Sequence, residues 1–366
     1  MDIKEKCFQE AIEVLKKCST GHGFNAAYPG YDALWSRDSM IASLGASLVG
    51  EKFKKQFKES LLTLGRNQSL NGQVPNAVDL FSKRKGHVDF KSIDSTLWFI
   101  IGNYIYAKRY GDKSLLKKHK ENIEMGFLWL ACQDWSETGL LAQHPTSDWQ
   151  DAFPHRYGHT INTQALYFYA LALAGKDNKK LQKAVNEDKE DGLWSRDYYF
   201  SYRWKNHNAY REIGDWFDSF GNLLAIVFGL ADSKRANKIL DYIQEKKIDR
   251  PFPVKAMFPA IELGGKYWKD YFADCDARNP YSYLNGGVWT FIGGFYILAL
   301  VKQKRWEEAE KELEKLAEAN AKLDWNFSEW LHGKTGKASE GGNQAWNAGA
   351  YILAYESLKK KRVLLP

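Results

Sequence analysis

An all-α, two-layered toroid of six helical hairpins, the (α/α)6 barrel, is the fold class this sequence predicts, on three observations. Apolar residues recur at helical spacing along most of the chain. Apolar-rich helical segments alternate with segments that carry a charged face. Alternating β-branched runs are scarce outside short patches such as 198–202. Counting both kinds of segment gives about a dozen helices, roughly one per 30 residues, which suits two concentric rings of six. A helix that is apolar all round needs partners on every side, whereas a helix with one charged face belongs in an outer layer.

Taken in order, the i, i+3, i+4, i+7 spacing predicts core-facing helices over 8–15, 40–48, 97–105, 166–173, 223–230, 291–301 and 348–355. Segments 53–64, 115–130, 231–244 and 305–323 read as amphipathic outer helices, the last with Glu307, Glu310 and Glu314 set against Lys311 and Lys315. No linker or low-complexity tract divides the chain, so residues 1–366 are expected to form a single domain, although length alone admits two or three at roughly 150 residues each. The Trp-Ser-Arg-Asp of residues 35–38 returns at 194–197 without shared flanks, and the second copy reads as coincidence.

Composition narrows the class. With 44% hydrophobic and 27% charged residues and only 9 Pro beside 29 Gly, the chain is globular, which excludes collagen, coiled coil and disorder. The longest apolar stretch, 292–301, falls far short of the roughly 20 residues a membrane-spanning helix needs. The N-terminal residues run into a charged amphipathic segment with no apolar signal region, so a cytoplasmic location and no membrane partner are expected. Cys7, Cys18, Cys132 and Cys275 form no CxxC pair, and the expectation is buried, reduced thiols with neither zinc nor disulfides. The net charge of +7 comes from basic and acidic residues scattered together, the pattern of a solvated surface and not of a nucleic-acid footprint. Aromatic residues reach 15%, many of them beside Asp, Asn, Arg and Gln near turns, where flat rings make platforms for sugars.

Four loop clusters carry the candidate chemistry. The first holds Tyr28, Trp35, Arg37 and Asp38 at the mouth of a helix. Arg37 and Asp38 read either as a helix-start ion pair or as a hydroxyl clamp, with Asp38 accepting, Arg37 donating and Trp35 or Tyr28 stacked on a ring. In the second, Asp94 heads an apolar helix containing Trp98 and reads as an N-cap, a sugar contact or both. The third gathers His144, Asp148, Trp149, Asp151, His155, Arg156 and His159 ahead of Gln164. Its histidine spacing does not match HExxH and no cysteine joins it, so no metal and no cofactor are expected. The fourth comprises Asn285 and Trp289, then Glu329 between Phe327 and Trp330, then Gln344 and Trp346. Glu329 reads as a helix-end residue or as a carboxyl whose aromatic walls tune it for proton chemistry.

The succession Trp-x-Arg-Asp, Asp-Ser-x-Leu-Trp, Trp-x-Asp-Ala, Asn-Gly-Gly-x-Trp, Glu-Trp-x-x-Gly and Gln-x-Trp resembles, over nearly the whole chain, the inverting (α/α)6 glycoside hydrolases. It is similar to the amylo-α-1,6-glucosidase (glycogen debranching) type and to the neutral/alkaline invertase, trehalase and processing α-glucosidase families. The resemblance implies Asp151, ahead of Gln164-Ala-Leu, as general acid and Glu329, ahead of Gln344-Ala-Trp, as general base. Thr290 stands where those families have a proline and Thr96 where the invertases have a glycine, and no trehalase string or appended domain is present, so a small α-linked saccharide is the implied substrate.

The implied chemistry is direct inversion, in which an acid protonates the leaving oxygen and a carboxylate roughly 6.5–9.5 Å away activates water. Trp149 and Phe153 would keep Asp151 protonated, and His332 would order an ionised Glu329. Tyr28, Trp35, Arg37, Asp38, Asp94, Trp98, Trp149, Gln164, Asn285, Trp289, Gln344 and Trp346 would hold one terminal sugar, making cleavage exo-acting. Three alternatives stay open: a sucrose hydrolase, a sugar isomerase or epimerase working through His144, His155, His159, His207 and His332, and a sugar-binding protein without catalysis.

Overall fold

The computed structural model describes residues 2–79, 87–207 and 210–366, with backbone alone for 205–207, 210 and 211. In chain order its helices are α1 (Ile3–Lys17), α2 (Ser36–Ala46), α3 (Lys54–Arg66), α4 (Asp94–Tyr110), α5 (Ser114–Lys118), α6 (Lys120–Ala131) and α7 (Ile161–Leu173). They continue with α8 (Lys179–Glu187), α9 (Ser219–Phe228), α10 (Ser233–Glu245), α11 (Thr290–Lys302), α12 (Trp306–Asn320), the short α13 (Lys322–Trp325) and α14 (Ala345–Lys359).

Sequence explains which helices go inside. In α11 every residue from Thr290 to Val301 is buried, and α2, α9 and most of α14 are equally enclosed. In α10 only Ala236, Ile239, Leu240 and Ile243 are buried, a single stripe at the helical period. The enclosed helices pack in a closed cycle, α2 on α4, α4 on α7, α7 on α9, α9 on α11, α11 on α14 and α14 back on α2. The striped helices lie outside them: α3 against α2 and α4, α6 against α4, α8 against α7, α10 against α9 and α11, and α1 and α12 against α14. One contiguous apolar cluster runs from Cys7 to Leu358 through this double layer.

A close approach in the cycle depends on glycine. A Cβ on Gly45 of α2 would stand 1.9 Å from the carbonyl oxygen of Gly349 on α14, and a Cβ on Gly349 would stand 2.5 Å from Ala42 Cα. Only the absence of both side chains lets these two helices touch backbone to backbone.

The expectation of an all-α chain needs correcting. Among the described residues are three small antiparallel sheets: Ser19–Thr20 with Gly23–Phe24; Leu34–Trp35, Ala77–Val78 and Val88–Asp89; and His159–Thr160, Phe200–His207, Tyr210–Asp218 and Met257–Phe258. They precede inner helices and fix how the chain enters them. Segment 115–130 is also two helices, because His119 turns inward to hydrogen-bond Asn103 Oδ1 at 2.8 Å and its backbone leaves the helical path. Helix α8 was not foreseen, since only Leu181 and Val185 are buried within it. Cys7 and Cys18 are buried as expected, but Cys132 is exposed and Cys275 half-buried; all four are free. No described helix is long and apolar enough to cross a membrane.

Candidate active site

The inner helices bring their N-terminal ends together. Arg37 in the first turn of α2 meets Asp151 of the loop before α7, Arg156 of that loop meets Asp218 at the head of α9, and the Trp289 and Trp346 rings, where α11 and α14 begin, lie 5.6 Å apart. Positive helix ends therefore surround this mouth, an environment that favours carboxylates.

Arg37 organises the centre. Its Nη2 donates to Asp151 Oδ2 at 2.9 Å, its Nη1 donates to Asn76 Oδ1 at 2.9 Å, and its Nε lies 3.5 Å from Asp38 Oδ2. The three-stranded sheet aims this fork: Ser36 N donates to Asn76 O, and the Asn76 side chain is itself tied to Asp89 Oδ2 at 2.8 Å. Burial alone would lower the guanidinium pKa, but the charges of Asp151, Asp38 and Asp94 raise it instead. Asp94 is the first residue of α4, with Ile93 at the cap position, so it is not the N-cap. Its carboxyl accepts from Ser92 Oγ.

Four carboxyls share this neighbourhood. Burial pushes Asp38 up to about 6 against the opposing pull of Arg37, and pushes Asp94 up to about 7. Asp151 is raised by burial, although Arg37 favours its charged form. Glu329 is pushed up to about 7, first by burial and then by the charges of Asp38 and Asp151, while the Tyr31 hydroxyl, donating to Oε1 at 3.4 Å, works the other way. Tyr31 and Tyr283 both feel the charges of Asp151 and Glu329, so the two carboxyls lie in one neighbourhood although they are far apart in sequence. Among the described residues, the buried Oδ2 atoms of Asp38 and Asp94, Nε of Arg37, Nε1 of Trp35 and Nε2 of Gln344 have no hydrogen-bond partner. Buried polar atoms left open are costly, and their grouping here suits a hydroxyl-rich ligand.

Glu329 is held by backbone. Its N–H donates to Gly341 O at 2.9 Å, and the next peptide groups pair with Ser339 and Val288. The expected support from His332 is absent, because its Nδ1 accepts the N–H groups of Lys334 and Thr335. Sequence reasoning named neither Tyr31 nor Asn76. A tyrosine beside the acidic residues of the first loop was the available signal for Tyr31, and nothing local marked Asn76.

Several residues predicted to bind also make structural contacts. Asn285 is fully buried, donating to the carbonyls of Ile261 and Ala277 and accepting from Ile261 N–H, so its amide is spent on loop backbone. Gln164 clamps Leu141 through both its amide atoms. Trp98 is fully buried edge-on to Phe228. Trp149, Trp289 and Trp346 gather around Phe291 as an aromatic floor, with Trp346 stacked on Phe291 at 4.1 Å. Tyr28 stands 54% exposed at the rim.

Three of the candidate histidines border one aromatic cluster around Trp204, apart from the Arg37 centre. His144 lies edge-on to Trp135, His159 lies against Trp204, and His155 hydrogen-bonds the Tyr271 hydroxyl at 2.7 Å. The side chain of His207 lies outside the described residues. Beneath the Asp151 loop, fully buried Arg156 bridges Asp148 at 2.6 Å and Asp218. Asp148 Oδ1 in turn accepts Gln150 N–H, which pins the loop on both sides of Asp151.

The sequence model of the amylo-alpha-1,6-glucosidase family matches residues 9–212, and that of alkaline and neutral invertase matches residues 212–361. Cytosolic invertase 1 of Oryza sativa subsp. japonica is 26% identical over 411 residues, covering 88% of this chain and 71% of that protein. Neutral/alkaline invertase 3, chloroplastic, of the same plant is 33% identical, covering 73% of this chain and 53% of that protein, so this chain spans about half its length. The GH63 mannosylglycerate hydrolase of Thermus thermophilus, solved with Tris and D-glycerate, shares the fold at a TM-score of 0.73 and 15% identity, over 94% of this chain and 99% of that one. A rhamnosidase from Klebsiella oxytoca shares it at a TM-score of 0.66 and 14% identity, over 97% of this chain and 64% of that one. With more than half its length inside the first family's sequence model, the chain belongs to the amylo-alpha-1,6-glucosidase family and is a glycoside hydrolase.

Proposed function

We propose that this chain is an inverting, exo-acting α-glycosidase of small α-linked saccharides or glycosides, built on a single-domain (α/α)6 barrel, with Asp151 as general acid and Glu329 as general base. The observation that carries the reading is the mutual electrostatic influence of Asp151, held by Arg37, and Glu329, held by Tyr31, which both act on Tyr31 and Tyr283 beside Asp38. A glycosidic oxygen leaves poorly unless protonated, and water attacks poorly unless deprotonated, so inversion needs one carboxyl in each ionic form. The closed cycle of six enclosed helices, with the striped helices outside it, supports the barrel.

Burial raises both carboxyls, while Arg37 opposes the rise at Asp151 and Tyr31 opposes it at Glu329. The two groups act closely enough on each other's charge that both limbs of the kcat/KM profile belong to the pair. Sugar hydroxyls that draw Arg37 away from Asp151 would favour its protonated form.

Incubation with sucrose, trehalose, maltose, isomaltose, kojibiose and glucosylglycerate, followed by proton NMR of the anomeric region, tests the reading. The β-anomer is expected first from the α-linked substrate, and first release of the α-anomer would contradict inversion. Sucrose is the second reading, favoured by the invertase match that contains Glu329.

A further inference from the structure

Segment 254–257 ties the two carboxyl sides of the mouth together. Toward α9, Met257 pairs with Asp218, and the N–H and hydroxyl of Ser219 donate to Ala256 O at 3.1 Å and to Lys255 O at 2.5 Å. Asp218 also accepts from Arg156, which holds Asp148 in the loop of Asp151. Toward α11, Ala256 N donates to Gly287 O at 2.8 Å, Trp289 N donates to Val254 O at 3.2 Å, and Lys255 pairs with Val288 as an antiparallel bridge. Val288 in turn exchanges hydrogen bonds of 2.7 and 2.8 Å with Leu331, just beyond Glu329. The backbone of 254–257 therefore links the loop of Asp151 to the segment of Glu329.

The side chain of Lys255 fixes that segment. It is 7% exposed, and its ammonium turns back to donate to Lys247 O at 2.8 Å and to Arg250 O. Pro251 and Pro253, in the same turn, have no N–H to offer those carbonyls, so the lysine supplies the donors that the prolines lack. An enclosed ammonium is costly: burial pushes it down to about 8, while the charge of Asp249 works the other way. An apolar residue of like size would fill the place without that cost, so packing alone does not account for a lysine here. We propose that Lys255 is a positioning residue of the active site, its ammonium fixing segment 254–257 and, through it, the separation of Asp151 and Glu329. The proposal rests on the roles given above to those two carboxyls, because direct inversion works only at a spacing that leaves room for the attacking water.

Steady-state kinetics on the glycosides named above and on α-D-glucosyl fluoride test it, with folding checked by circular dichroism and each variant assayed well below its melting midpoint. Lys255→Met removes the donors and keeps the bulk. On the glycoside that the parent hydrolyses, its kcat is expected to fall about tenfold or more with KM within about threefold, since a shift of about 1 Å at the reacting groups can cost about 10²-fold. Lys302→Met is the control: that ammonium donates to Val227 O at 2.8 Å from the last residue of α11, away from the mouth, so its loss removes a similar staple and should leave kcat within about twofold. Ser219→Ala frees only Lys255 O and should lower kcat about threefold or more; it is the deciding variant if Lys255→Met does not fold. A smaller fall in the deciding variant, a fall carried by KM, or an equal fall in Lys302→Met would overturn the positioning role, while a parent that is active and silenced by Glu329→Gln keeps the hydrolase reading. A parent inert on every glycoside and on the fluoride would overturn the hydrolase reading, and the role of Lys255 with it.

Discussion

Tyr31 shows how one exposed-edge residue can tune the chemistry. Its hydroxyl donates to Glu329 and lowers a carboxyl that burial otherwise pushes up to about 7. Tyr31→Phe removes that donor, so Glu329 rises further and holds its proton to higher pH. If Glu329 must be ionised, the acid limb of the kcat/KM profile moves upward by roughly half a pH unit or more, with kcat reduced about tenfold. An unmoved limb would show that Tyr31 does not act through Glu329. At this scale the candidate carboxyls were legible because charged residues flanked by aromatics stand out in sequence. Asn285 and Gln164 misled, because an amide's side-chain partners are set by tertiary contacts that sequence does not display; here those partners proved to be loop backbone. The thiols of Cys132 and Cys275 misled likewise, since burial is settled by the neighbours.

Among the elements, the inner helices were the most readable, since sequences such as that of α11 are apolar on every face and have only one place to go. Two-residue strands such as Leu34–Trp35 show no period at all and were invisible, yet they set the entry of α2 and the aim of Arg37. The contact between α2 and α14 makes a sharp prediction. Gly349→Ala places a methyl against Ala42 Cα and Ile41 O, backbone that cannot step aside, and should cost about 1–3 kcal/mol or more in denaturant unfolding. A change within about 0.5 kcal/mol would mean that the helices separate freely. The Asp151 loop depends on a different device, the buried Arg156 bridge to Asp148 and Asp218. Arg156→Met leaves two buried carboxylates unpaired and should lower stability by about 3–5 kcal/mol at neutral pH, read in the same unfolding experiment.

For the whole molecule, gathering Asp38, Asp94 and Glu329 at one mouth has a stability consequence. Each has a folded pKa above its ordinary value, so each favours the folded state below about pH 4, and that contribution is lost as pH rises through about 6 to 7. Glu329→Gln should therefore raise the melting midpoint by a few degrees at pH 8 and by little at pH 5, the trade of stability for function expected at an active site. An equal change at both pH values would indicate that Glu329 is not strained by its surroundings. The largely helical architecture was legible from the alternation of apolar and striped helices, and the pairing proposed for Asp151 and Glu329 came only through the order of motifs. The most direct measurement of their roles is the rate of Asp151→Asn and Glu329→Gln on an α-glycosyl fluoride, which needs little protonation to leave, beside the rate on the matching saccharide. The roles assigned here predict that Asp151→Asn loses about 10³-fold on the saccharide but stays within about tenfold on the fluoride, while Glu329→Gln loses about 10³-fold on both. The same pattern with the two residues exchanged, or full activity in either variant, would contradict them.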